Sequence, residues 1–406
     1  MATHSTRMGA RIRTRAERPK PSALSVGHPS VLISITVAML VLLGLIMILS
    51  ASNVASFAQY GSPFRFFTRQ LLWTAAGVIA FAVCARTDYR RWRGVGYVAF
   101  AGVLLLLLLV LIPGIGISVG GSARWLGFGS FQFQPSEFAK LALVLFAADV
   151  FSRKKESTFD TLTHTMLPLV PALGALSILI MLQPDLGTTL LLGAIGAGMM
   201  FVAGAPLRYL GPTLTAGAGV AILAAVIEPY RRDRVLAFLD PWKDPFNTGY
   251  QTIQSLIAVG SGGWFGVGLG ASRQKWLYIP NAHTDFIFAI LAEETGLLGS
   301  LMVIGMFAFL GYLGVRTARK APDRFGMLVA TGITVWVSAQ AVVNMGAVSA
   351  SLPITGVPLP LVSFGGSSLV ISLAAMGMLV NIAYQGRPSH RSPQRMSNGA
   401  TATRGA

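Results

Sequence analysis

Charge is what this chain of 406 residues has least of. Asp, Glu, Lys and Arg together make up 12% of it, against 53% hydrophobic residues. A soluble protein of this length needs a far more charged surface. Cysteine is almost absent too. The single one, Cys84, excludes an internal disulfide, and it lies in an apolar run where it reads as a small packed residue. No cysteine–histidine cluster has the spacing of a zinc or iron–sulfur site. What is present is apolar. The mean hydropathy is +0.63, and uninterrupted apolar runs recur from residue 30 onward. These define a polytopic membrane protein. The 45 glycines fit close helix packing in lipid rather than disorder.

The formal charge of +17 raises nucleic acid as a partner, but its placement argues against it. The basic residues crowd into two polar tails, residues 1–25 and 388–406, and into short loops between apolar runs. That is the pattern of anchoring beside anionic lipid. The tails themselves read as disordered. The first apolar run follows a basic segment, as a signal peptide would. It is longer than a signal core and nine further spans follow, so it reads as an uncleaved first helix.

Ten spans are predicted, near 30–50, 67–85, 95–112, 136–152, 163–182, 186–204, 208–228, 284–315, 325–348 and 364–385. Arg86, Arg90, Arg91 and Arg93 follow the second span, Arg153, Lys154 and Lys155 the fourth, Arg208 the sixth, and Arg316, Arg319, Lys320 and Arg324 the eighth. With ten spans these loops and both tails share one side, the cytoplasm. The expected fold is therefore an all-α membrane protein, a ten-helix bundle over residues 26–387. A large extracytoplasmic loop, 229–283, joins the seventh and eighth spans. Its glycines at 260, 262, 263, 266, 268 and 270 predict short interfacial or re-entrant pieces, with a half-helix around 250–259.

The unusual polar residues of the spans all map to the outer side. Asp285 opens the eighth span, after His283 and Thr284, and Glu293 and Glu294 lie about two turns below it. Carboxylates are costly beside lipid, so Asp285 is a candidate for chemistry, although a cap or first-turn role for Thr284 or Asp285 is the plainer reading. Glu293 and Glu294 read as polar glue between helices. Glu137 and Lys140 open the fourth span three residues apart, on one face. Lys140 alone among seven lysines lies inside an apolar run. Either it snorkels outward, or it pairs across a polar cavity with Asp285 or Asp185, Glu137 being the weaker partner. Asp185, in the tight turn Gln183-Pro184-Asp185, is equally readable as a helix cap. Arg124 and Trp125 precede the fourth span. Ser363, Gly365, Gly366 and Ser367 follow a proline-rich stretch, where they either present donors to an anion or form a turn and helix cap.

Taken together, the strings Gly121–Gly127, Gln134–Lys140, Gln183–Thr188, Tyr250–Ser255, His283–Phe288 and Pro360–Ser368 resemble those of the SEDS family (shape, elongation, division and sporulation) of bacterial cell-wall proteins. Gly268–Lys275 looks more like its division branch than its elongation branch. One departure is Asn281, where the family usually carries glutamate, and this weakens a metal-site reading at that rim.

The resemblance implies a peptidoglycan glycosyltransferase acting on lipid II during septal wall synthesis in the bacterial inner membrane. It implies Asp285 as the essential carboxylate, with Lys140 and Glu137 in the same cavity. It implies a class B penicillin-binding protein, a transpeptidase, as partner alongside other division proteins. Polymerisation attacks the anomeric carbon with an acceptor 4-hydroxyl and expels a lipid pyrophosphate in one inverting displacement. That needs a base and positive charge. Asp285 suits the first role. Lys140, Arg124 or a divalent cation (magnesium or manganese) suits the second. A resting Asp285–Lys140 pair is expected to hold the carboxyl down until pyrophosphate draws the lysine away. The rival readings are a lipid II flippase or transporter and a division scaffold that recruits the transpeptidase.

Overall fold

The computed structural model describes residues 27–119, 121–128, 131–154 and 167–386. Both predicted tails lie outside them, as do the start of the predicted fifth span and Lys155. Twelve α-helices occupy the described residues: α1 (Pro29–Tyr60), α2 (Arg65–Arg86), α3 (Val95–Leu111), α4 (Pro135–Ser152), α5 (Val170–Met181), α6 (Leu186–Val202), α7 (Leu207–Ile227), α8 (Pro229–Leu239), α9 (Tyr250–Ser261), α10 (Ile287–Arg319), α11 (Arg324–Val348) and α12 (Gly366–Gln385). Ten of them fall on the ten predicted segments. Six (α1, α2, α7, α10, α11 and α12) are long and apolar enough to cross a membrane, while α3, α5 and α6 are shorter apolar helices. The chain is a multi-pass helical membrane protein.

The all-α expectation misses one element. Strands β1 (Ile117–Val119), β2 (Ser122–Phe128) and β3 (Phe131–Phe133) form a small antiparallel sheet between α3 and α4. The sheet pairs the backbone of a segment too rich in glycine for helix. Its second strand carries Arg124 and Trp125.

Burial sorts the helices. Along α4, α11 and α12 most positions are buried, so these helices form the centre. By contrast α7 buries only Leu210 and Ala225 and lies at the rim. The connections sort into two ends. At the basic end, Arg93 Nε lies 2.7 Å from Asp149 Oδ1, and Arg153 pairs with the same carboxylate. Arg90 Nε lies 2.8 Å from Asp323 in the α10–α11 connection. Arg324 donates to the carbonyls of Lys154 and Ala203, at the ends of α4 and α6. The sheet, the α5–α6 turn and the start of α10 meet at the opposite end.

The long eighth span is not one rod. At Gly296 the backbone of α10 leaves helical geometry (φ 69°, ψ −165°). The glycine-rich segment after α9 runs into this break. Val267 N–H and Gly268 N–H donate to the carbonyls of Glu293 and Glu294, at 3.0 and 3.1 Å. Leu297 N–H and Leu298 N–H donate to those of Gly263 and Trp264. The predicted half-helix is present as the short helix α9, and the glycine-rich segment after it is irregular. The carboxylates complete the seam. Glu293 accepts from Ser272 Oγ and from the N–H groups of Arg273 and Gln274, while Glu294 accepts from Ser50 Oγ on α1 and from Ser272 N–H. Polar groups in a membrane interior must be satisfied internally, and these two acids do it for an irregular loop.

Candidate active site

Asp285 sits in the turn ahead of α10, half-buried at the non-basic end. It is not a helix cap. Phe286 holds the cap position, and the Thr284 hydroxyl donates to the Asn281 carbonyl at 3.1 Å. Asn281 itself adopts a left-handed backbone (φ 57°). Asparagine tolerates that geometry better than most side chains, which explains an asparagine here in physical terms. The backbone of Asp285 is fixed from α11: Asn344 Nδ2 donates at 2.8 Å both to the Asp285 carbonyl and to that of Val357.

The carboxylate faces arginines. A Cβ placed on Gly356 would stand 3.7 Å from Asp285 Oδ2 and 4.0 Å from an Arg234 Nη, so both side chains border one small space. Burial pushes the Asp285 carboxyl up to about 6. Arg234 pulls it back, Asp185 pushes it further, and Arg124 pulls it back again. Arg234, on α8, was invisible among the other basic residues of the long loop in sequence. No helical period links it to Asp285, and only the folded loop aims it there.

Arg124 and Asp185 meet at the α5–α6 turn. Arg124 donates through Nε to the Gln183 carbonyl at 2.8 Å and through Nη2 to that of Pro184 at 2.6 Å. Asp185 caps α6, accepting from Thr188 N–H at 3.0 Å and from Thr188 Oγ1 at 2.9 Å. The plainer cap reading of Asp185 is therefore the right one, with a field effect on Asp285 added. Trp125 pairs with Ile117 across the sheet.

Lys140 is fully buried, but its partner is not Asp285. Its Nζ lies 2.8 Å from Glu137 Oε2 and donates to Gln340 Oε1 at 2.9 Å, beneath the Trp336 ring at 5.1 Å. The expected resting Asp285–Lys140 pair is corrected on two counts. The lysine is used on its own helix, where three-residue spacing brings the charges together, and the Asp285 carboxyl is raised instead of lowered. Lys140 reaches the site at one remove. Gln340 Nε2 donates to the Pro358 carbonyl at 2.9 Å, so the lysine steadies the proline-rich wall beside Asp285. Gln340 and Asn344, one turn apart on α11, are the positioning residues that the sequence reading passed over. Two amides in an apolar span were the available signal.

His283 sits between Phe66 and Phe364, tilted over the first and edge-on to the second, with ring centroids 4.6 and 5.4 Å away. Burial pushes its imidazole down to about 4, so it is neutral at ordinary pH. In the Ser363–Ser367 run two hydroxyls accept from neighbouring backbone and one backbone N–H donates to a side chain. Leu359 N–H donates to Ser363 Oγ, Gly365 N–H to Gln70 Oε1, and Gln134 N–H to Ser367 Oγ. A Cβ on Gly366 would come within 2.3 Å of the Trp73 ring. The run is a packed turn and helix start.

A resident divalent cation does not fit this donor set. Among the described residues no three His, Cys, Asp or Glu side chains come together. The acid nearest in effect, Asp185, is already committed to Thr188, and Asn281 adds no charge. Two arginines supply the positive field instead.

The fold and site define a helical membrane protein with an acid flanked by arginines at the end opposite its basic loops. The chain belongs to the FtsW/RodA/SpoVE family of cell cycle proteins, which its residues 30–388 match. It is 42% identical to stage V sporulation protein E of Bacillus subtilis, over 88% of this chain and 98% of that one. It is equally 42% identical to the probable peptidoglycan glycosyltransferase FtsW of Legionella pneumophila, over 86% of this chain and 89% of the relative. Among solved structures it is similar to a chain of a peptidoglycan synthase complex that coordinates polymerization and crosslinking (32% identity, TM-score 0.71, covering 88% of this chain and 98% of that one). It is also similar to the rod shape determining protein RodA of Thermus thermophilus (28% identity, TM-score 0.65, covering 90% and 99%).

Proposed function

We propose that this chain, a peptidoglycan glycosyltransferase by its family, polymerises lipid II in the bacterial inner membrane with Asp285 as general base. The observation that carries the reading is a single carboxyl pushed up to about 6 by burial and flanked by Arg234 and Arg124. A base of that strength is ionised at neutral pH yet more basic than a solvated aspartate. The acceptor 4-hydroxyl gives its proton to Asp285 as its oxygen bonds to the anomeric carbon. The bond to the lipid pyrophosphate breaks with inversion. Arg234 and Arg124 neutralise the charge that develops on the leaving group. Lys140 and Glu137 hold the wall behind the acid, and neutral His283 packs beside it.

A division role and a crosslinking partner of the transpeptidase class extend this reading. Support for the division role comes from the relatives named FtsW, and for the partner from the synthase complex to which the fold is similar.

The test uses the purified full chain in detergent with labelled lipid II. The expected result is glycan from the wild-type protein, a loss of at least about 100-fold in Asp285→Asn, and a loss of roughly 10- to 100-fold in Arg234→Gln. Polymer made at the wild-type rate by Asp285→Asn overturns the catalytic assignment. A wild-type chain that makes no glycan there, yet moves lipid II across vesicles, returns the function to a transporter.

A further inference from the structure

The basic end of the molecule carries a second feature, far from Asp285. Where α2 ends and a one-turn 3-10 helix (Tyr89–Arg93) begins, a recess of about 680 Å³ is lined by Ile79, Val83, Arg86, Thr87, Asp88 and Arg91. The four arginines of this connection divide into two kinds. Arg90 is committed to Asp323 and Gln385, and Arg93 to Asp149 and Ser152. Arg86 and Arg91 project into the open, and neither guanidinium has a hydrogen bond or ion pair among the described residues.

The recess is held rigidly. Tyr89 is buried, its hydroxyl donates to Asp323, and its N–H donates to Asn381 on α12 at 3.0 Å. Asn381 Nδ2 in turn donates to the Ala85 carbonyl in the last turn of α2. The two free guanidinium groups are thus mounted on a braced turn. Asp88 lines the same recess, accepts from Arg90 N–H and lies 3.7 Å from the Arg90 side chain, so it offsets only part of the two arginines and the lining stays net positive. The other wall is apolar. Ile79 and Val83 are exposed one turn apart on a span-forming helix, and their surroundings there are lipid.

We propose that this recess binds an anionic phospholipid, its phosphate between Arg86 and Arg91 and its acyl chains along Ile79 and Val83. Cation and apolar wall meet at the depth where a headgroup joins its tails. A free phosphate would satisfy the arginines but leave the apolar wall without a partner. Guanidinium groups on a fixed turn lose little freedom on gripping phosphate. The Thr87 hydroxyl, which has no partner among the described residues, offers a further donor.

Native mass spectrometry of the purified full chain, titrated with phosphatidylglycerol or phosphatidylcholine, tests this. Phosphatidylglycerol should bind more tightly. Arg86→Gln/Arg91→Gln should weaken it roughly 30-fold, from about one kcal/mol per basic residue, and weaken phosphatidylcholine, whose choline offsets its phosphate, far less. Arg316→Gln/Arg319→Gln, removing two charges at the same end, should weaken it far less. Millimolar inorganic phosphate should not displace the lipid. Equal phosphatidylglycerol binding by wild type and the Arg86/Arg91 variant overturns the site, and so does displacement by inorganic phosphate. If the double variant fails to fold, Val83→Glu places like charge on the apolar wall, and undiminished binding by that variant overturns the site equally.

Discussion

At the scale of one residue, the property that matters is the proton affinity of Asp285. Burial raises its carboxyl to about 6 while Arg234 and Arg124 restrain it. An unfolded chain would titrate the same group near 3.9, roughly its solvated value. A raised folded value means that the folded state holds the proton more tightly. The stability tied to that proton is full below the unfolded value and is lost as pH rises through about 6. Asp285→Asn should therefore melt at a higher temperature than wild type at pH ~8, and the gap should close toward pH ~4. Polymerisation should show the opposite slope, rising through pH 6 as the base ionises and then levelling. Thermal melts and initial rates across that range check both. Melting curves that keep a constant gap at every pH would show that Asp285 is solvated in the folded protein. Lys140 teaches a different lesson at this scale. Its isolation in an apolar run was legible, and so was a shared face with Glu137. Its hydrogen bond to Gln340, 200 positions away, was not, because no local period connects α4 to α11.

At the scale of an element, the break in α10 is the least expected feature and a strong constraint. A Cβ at Gly296 would stand 2.4 Å from Gly266 N, in a backbone conformation that side chains avoid. Gly296→Ala should cost on the order of 2 kcal/mol or more, from left-handed strain plus displacement of the glycine-rich segment. Gly305→Ala is the control on the same helix. Its Cβ meets nothing within 4 Å, and alanine there should be neutral or stabilising by up to about 1 kcal/mol. Melting temperatures in one detergent compare the two, and equal values would mean that the seam between the loop and α10 carries no stability. The helices themselves were easy to read, because long apolar runs leave few alternatives in lipid. The break was hidden inside such a run. Glycines at 260–270 announced an irregular loop, but where that loop docks depends on backbone groups that sequence pattern does not encode. The sheet at 117–133 escaped for a similar reason, since two of its three strands have only three residues and carry too little alternation to register.

At the scale of the whole molecule, orientation is the open quantity, and the two ends already differ in charge. The connections after α2, α4, α6 and α10 are stitched together by Arg90, Arg93, Arg153 and Arg324. Asp285, Arg124 and Asp185 gather at the other end, as the fields they exert on one another require. Short basic loops favour the cytoplasmic side, and the proposed polymerisation of a lipid-linked sugar has the acid face outward. The natural cysteine does not interfere with labelling, because Cys84 is buried. Ser351 and Lys320 are exposed in connections at opposite ends. A membrane-impermeant maleimide should label Ser351→Cys in intact cells, and Lys320→Cys only after permeabilisation. Labelling of Lys320→Cys in intact cells would invert the molecule, place Asp285 inside, and leave the glycosyltransferase reading without access to its growing product.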